Sequence, residues 1–178
     1  LGHVNFSADY DGVVRKLHLL TDFNNHLYPS LAFKIFMDIE GIDSIATNGK
    51  DEIRLFQEGQ QRFAIPVTPE GSMLINWFGP FKVFRYIPFY DILEQRIDKS
   101  YFQGKIVLVG TSLPGLFDLR SVPFQQEFPG VEIHATLLDN LLSGDLLHDA
   151  SSRVVLLWAV VFSILCGVAG RLAANGTQ

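Results

Sequence analysis

Gly104-Lys105-Ile106-Val107-Leu108-Val109-Gly110 is the stretch on which the fold turns. Two glycines bound four successive apolar residues, three of them β-branched. A short run of that make-up reads as a strand covered on both faces, hence central in its sheet. Downstream, Val131 to Leu142 sets Ile133, Leu137, Leu138, Leu141 and Leu142 on one helical face, and Gly144 is placed to end the helix. This helix is expected to pack on the strand before it.

Working back toward the N-terminus, Phe89 to Ile97 carries Ile92, Leu93, Arg96 and Ile97 in the pattern of a short helix. Arg62 to Val67 and Ser72 to Phe78 are apolar strand candidates. Thr68-Pro69-Glu70-Gly71 between them predicts a hairpin. Ile42 to Gln60 is polar and holds Asn48-Gly49 and Glu58-Gly59, which suits short strands between turns. Tyr28 to Ile39 spaces Leu31, Ile35, Phe36 and Ile39 near a helical period, with Pro29 and Ser30 at its start and Gly41 beyond its end. Gly2 to Ser7 and Val13 to Leu20 alternate like strands across an Ala8 to Gly12 turn, predicting an N-terminal hairpin. The fold class expected is α/β of the mixed α+β kind: a mixed sheet with an N-terminal hairpin and flanking helices, followed by a transmembrane helix.

That last element rests on Val154 to Gly170, seventeen residues without a charge between Arg153 and Arg171. At about 1.5 Å per residue they cover roughly 26 Å of a hydrocarbon core about 30 Å thick. Arg171 snorkelling, with Leu172 to Ala174 extending the run, supplies the remainder. The alternative is a buried core helix, but an amphipathic soluble helix would show polar residues on one face, whereas only Ser163 is polar here. Ala159, Ser163 and Gly167 recur at spacing four and would let a second helix approach. One arginine at each end leaves orientation undecided. The expected division is a globular domain over 1–149, a juxtamembrane linker over 150–153, a membrane helix over 154–174 and a tail over 175–178, the chain being read as a fragment of a longer protein.

Composition excludes some functions. A net charge of −5 over 178 residues, with Lys and Arg scattered singly, gives no footprint for nucleic acid. Cys166 is the single cysteine, so no intramolecular disulfide is available. Asp9-x-Asp11-Gly12 overlaps part of a calcium loop but puts Ser7 at its first position and His18 at its twelfth, where a bidentate carboxylate is needed. The pair of aspartates with Gly12 and Arg15 reads instead as a structural turn with a local ion pair. His3, His18, His26, His134 and His148 show no metal-ligand spacing, so neither metal nor cofactor is expected.

Gly110-Thr111-Ser112-Leu113-Pro114-Gly115 follows the decisive strand, where α/β folds place nucleophile elbows and phosphate loops. Pro114 stands where the elbow needs glycine, and Leu116-Phe117 where a phosphate loop needs Lys-Ser or Lys-Thr. What remains is a structural turn or a set of backbone amides suited to an anion or small polar ligand. Asp118 and Arg120 lie in the following loop, as a structural ion pair or the wall of a pocket. His134, just after Pro129-Gly130, reads as a loop-fixing imidazole or a ligand contact.

Three motifs in order, Asp9-Tyr10-Asp11-Gly12-Val13-Val14-Arg15, Gly104 to Gly110, and Pro129-Gly130-Val131-Glu132-Ile133-His134-Ala135, resemble the CHASE type 2 family of extracellular sensory domains. Asp118 also fits the family pattern, with Val122-Pro123 where Thr-Pro is usual. The resemblance implies a non-catalytic domain outside a bacterial inner membrane, feeding a cytoplasmic cyclase, histidine kinase or Ser/Thr kinase. It implies an unidentified small-molecule or protein signal, and a homodimer suits such outputs. Thr111, Ser112, Asp118, Arg120 and His134 are the candidate ligand contacts. Two rivals stand beside this reading: a membrane-tethered envelope domain without output, and a hydrolase using Ser112 and His134.

Overall fold

Ser30 opens the first helix because its side chain accepts from the Phe33 amide, satisfying a donor that the helix itself cannot. The computed structural model describes residues 1–47, 51–112, 118–150 and 152–175, with the backbone alone at 152 and 172–175. Helix α1 (Leu31–Ile39) ends where the Ile42 amide reaches back to Met37 O at 2.9 Å across Gly41. Its buried face is Ala32, Phe33 and Phe36, one position round from the predicted stripe, and Ile39 is exposed.

The strands are β1 (Lys16–His18), β2 (Leu20–Phe23), β3 (His26–Pro29), β4 (Ser44–Thr47), β5 (Glu52–Gln57), β6 (Gln60–Pro66), β7 (Ser72–Leu74), β8 (Leu119–Val122) and β9 (Gln125–Pro129). All ladders among them are antiparallel, in four small sheets: β1–β7, β2–β3, β4–β5–β6 and β8–β9. The other helices are α2 (Phe89–Leu93), α3 (Gly130–Ser143) and α4 (Ser152–Asn175), with a 3-10 turn over Lys99–Phe102. The mixed α/β class holds, with the apolar C-terminal helix in place.

Three predicted pairings do not form. Gly2–Ser7 does not pair with Val13–Leu20. Instead His3 bridges to Ser30, and a Cβ at Gly2 would lie 2.7 Å from Leu31 Cα, so only glycine permits that approach. The hairpin present near the N-terminus is β2–β3, turned through Asn24 and Asn25 at φ 54° and 61°. Nor does Arg62–Val67 fold back on Ser72–Phe78. The Thr68–Gly71 turn is there, but β6 pairs with β5 through the left-handed Glu58-Gly59 pair, while β7 pairs with β1. The third failure is the decisive stretch itself. Residues 105–110 form no strand, and Ile106, Val107 and Val109 are exposed, Val109 by 81%. The expected turn at Asn48-Gly49 lies outside the described residues.

The core gathers Val14, Leu17 and Leu19 with α1, β5–β6, Met73, Phe128 and the inner face of α3. Helix α3 packs against α1 and β9, and its Val131 lies against Gly110. Its Ile133, Leu137, Leu138 and Leu141 are buried and Leu142 is 40% exposed. Gly144, at φ 71°, closes it in the left-handed conformation. Two units emerge, Leu1–Leu147 and His148–Gln178. In the second, Arg153–Arg171 has mean hydropathy 2.2 with none of it buried, and Ser163 Oγ donates to Ala159 O at 2.7 Å, so the one polar hydroxyl between the arginines is satisfied inside the helix.

Candidate functional site

The aspartate turn is a closed electrostatic unit. Asp9 N donates to Val13 O, Gly12 N to Asp9 O, and Val13 N to Asp11 Oδ1. Arg15 grips both carboxylates, with Nη1 at 2.9 Å from Asp9 and from Asp11 and Nη2 at 2.7 Å from Asp11. The guanidinium hydrogen bonds hold the Asp11 carboxyl down at about 2. Three of the five guanidinium N–H donors are spent inside the turn, and the neighbouring residues Val13 and Val14 run beside Ser121, where Val14 N donates to Ser121 O at 2.8 Å.

That contact leads into the pocket-forming candidates. Gly130 N donates to Asp118 O at 2.8 Å, and a Cβ on Gly130 would meet Asp118 Oδ1 at 2.5 Å and Phe6 Cε2 at 2.9 Å. Gly130 therefore lets the start of α3, the carboxylate and the Phe6 ring share one place. Arg120 lies over that ring, 5.3 Å from its centroid, and the His134 ring is 5.0 Å from it at a tilt of 44°. Asp118, Arg120 and His134 are thus collected around Phe6, a residue that the sequence did not single out. Nothing in its local pattern distinguishes Phe6 from the chain's other phenylalanines.

His134 is 97% withdrawn from solvent, and neither ring nitrogen has a hydrogen-bond partner among the described residues. Burial is the main reason its pKa falls to about 4, with His3 adding repulsion and the Val4 backbone pulling weakly the other way. Thr111 and Ser112 are exposed and bond to no described residue, while Gly110 before them packs on Val131, whose Cβ would be 2.5 Å from a Cβ there. Leu113 to Phe117, including Pro114 and Gly115, lies outside the described residues.

Sequence reasoning also passed over two polar anchors on α3. Glu132 is buried and accepts from Lys82 N (3.2 Å), Val83 N (3.0 Å) and Tyr86 Oη (2.7 Å). Burial first, and then this carboxylate, push the Tyr86 phenol upward. Asn140 is also fully buried, accepting from Asn76 N at 2.9 Å and donating to Asn76 O at 3.0 Å, as a strand neighbour would. A Glu and an Asn eight residues apart within an apolar helix were the available signal.

The CHASE2 domain family model matches residues 1–169. The chain belongs to the CHASE2 family. Its members are extracellular sensory domains, and the match extends through most of α4, so the apolar helix falls within the CHASE2 region. No match was found among curated proteins or among solved structures.

Proposed function

We propose that residues 1–147 form the extracytoplasmic sensing domain of a bacterial inner-membrane receptor. Helix α4 passes the signal to a cytoplasmic output domain elsewhere in the parent polypeptide, a nucleotide cyclase, a histidine kinase or a Ser/Thr kinase. The observation that carries this reading is a CHASE2 match running continuously into an unburied apolar helix of membrane-spanning length. Signalling requires that the stimulus bind one arrangement of the domain better than another. Asp118, Arg120 and His134 around Phe6 are the group best placed to respond, with Thr111 and Ser112 as further contacts. A homodimer joined in part through the Ala159, Ser163 and Gly167 face of α4 suits such an output.

Topology tests the reading. In the parent protein carrying Cys166→Ser and Glu70→Cys, an impermeant maleimide applied to intact spheroplasts is expected to label Cys at position 70, which is exposed in the turn before β7. Labelling only after lysis would place the domain in the cytoplasm and reject the receptor.

A further inference from the structure

Three of the five histidines, His3, His18 and His134, interact electrostatically. His3 on the N-terminal segment is made harder to protonate by burial and then by His18 on β1, and His3 in turn opposes protonation of His134 on α3. His3 Nε2 meets Thr21 Oγ1 at 3.0 Å, and its Nδ1 is buried without a partner. His18 Nδ1 meets Ser72 Oγ at 2.9 Å. The lid over His134 is the segment around His3, Val4 and Phe6. It is held by His3 N to Pro29 O at 2.9 Å and Leu31 N to His3 O at 2.8 Å, and by the Phe6 ring.

The charges facing this cluster do not neutralise it. On the β8 side, Arg120 lies over Phe6 and Asp118 lies against Gly130 and Phe6. On α1, Lys34 pairs with Asp38, away from the core. On α3 itself Glu132 is committed to Lys82, Val83 and Tyr86. Beyond His18, Lys16 and Glu70 pair at 3.9 Å on the surface. No carboxylate hydrogen-bonds His3 or His134 among the described residues; the polar groups nearest them are the Val4 backbone at His134 and Thr21 Oγ1 at His3.

We propose that His134 and His3, closed beneath the Phe6 strap, are a proton-binding site through which the domain senses acidification. This rests on the sensory reading above and names the stimulus as the hydronium ion. In the closed form the His134 imidazole is dry and neutral, and the half-buried His3 ring is harder to protonate than a free one. When the segment over residues 3–6 lifts, they reach water and recover ordinary basicity, so acid selects the open form. The sign follows from His134. With a closed-state pKa of about 4 against an ordinary 6.5, the closed form is fully favoured above pH 6.5 and loses its advantage as pH falls toward 4. Between about pH 7.5 and about pH 5.5 the ratio of open to closed rises about tenfold from His134 alone.

The test is made on the purified full chain in detergent micelles by NMR. Amide exchange at His3 and Leu31, corrected for the intrinsic pH dependence of exchange, is expected to accelerate about tenfold over that interval. Exchange that stays flat overturns the proposal. In His134→Gln the acceleration is expected to shrink to the His3 contribution, and in His3→Gln/His134→Gln to vanish; its persistence in the double variant overturns the proposal. Should these variants fail to fold, the Cε1 titration of the wild-type chain decides. A His134 midpoint well below 6.5 supports the site, whereas a midpoint at 6.5 with the His3 amide still protected overturns it. The titration needs no output domain, so a flat profile removes the proton site and leaves the receptor standing. Cytoplasmic labelling in spheroplasts would do the reverse.

Discussion

Residues 130–143 and residues 105–110 are both apolar, both flanked by glycine, and both read from sequence as buried, yet only the first is. A helix satisfies its own backbone, so α3 needs only a surface on which to lay its side chains, and α1 and β9 supply it. A strand needs a neighbour for every amide and carbonyl. Residues 106–110 form no backbone hydrogen bond with any described residue, and from 78 to 112 no residue is buried, although the stretch includes Phe78, Phe81, Phe84, Phe89, Tyr90 and Tyr101. Apolar content decides what a segment would gain by burial. Partners decide whether it is buried.

Three substitutions sharpen that contrast. The largest effect is expected for Leu137→Ala, a fully buried position on α3, which should lower stability by about 2–5 kcal/mol in denaturant unfolding of the globular unit. A cost below about 1 kcal/mol would mean that α3 is not the packed element described. Next is Glu132→Ala, which removes the acceptor for Lys82 N, Val83 N and Tyr86 Oη. About 2–3 kcal/mol is expected, with Glu132→Gln retaining part of it, and the tyrosine absorbance should titrate at lower pH once the carboxylate is gone. An unchanged Tyr86 titration would detach it from Glu132. Smallest is Val107→Lys, at a half-exposed side chain, where the change should stay within about 0.5 kcal/mol. A loss of several kcal/mol there would show residues 105–110 to be buried after all.

Much of the architecture was legible. Ser30 as a cap, Gly144 as a terminator and the Ile133, Leu137, Leu138, Leu141 stripe follow from local chemistry, and α1 and α3 stand where that chemistry puts them, whereas the helix expected over Phe89 to Ile97 stops at Leu93. Strand pairing was less legible because register is a contract between distant segments. Gly2 against Leu31 and Lys16–His18 against Ser72–Leu74 are contacts that no local pattern announces. The same limit applied to the site. Asp118, Arg120 and His134 were singled out one by one, whereas Phe6, the ring that brings them together, is more than a hundred residues away in sequence. Glu132 and Asn140 were hidden for a different reason: a polar residue in an apolar helix reads as its wet side until its partner, here the backbone of residues 76–83, is known.

Hydrogen exchange measured by mass spectrometry on the full chain in micelles at neutral pH compares the two regions directly. The account predicts that peptides within 130–143 exchange at least about a thousandfold more slowly than unstructured chain, while 105–110 exchanges near the unprotected rate. Equal, strong protection of both would contradict it, because residues 105–110 would then be paired in a sheet.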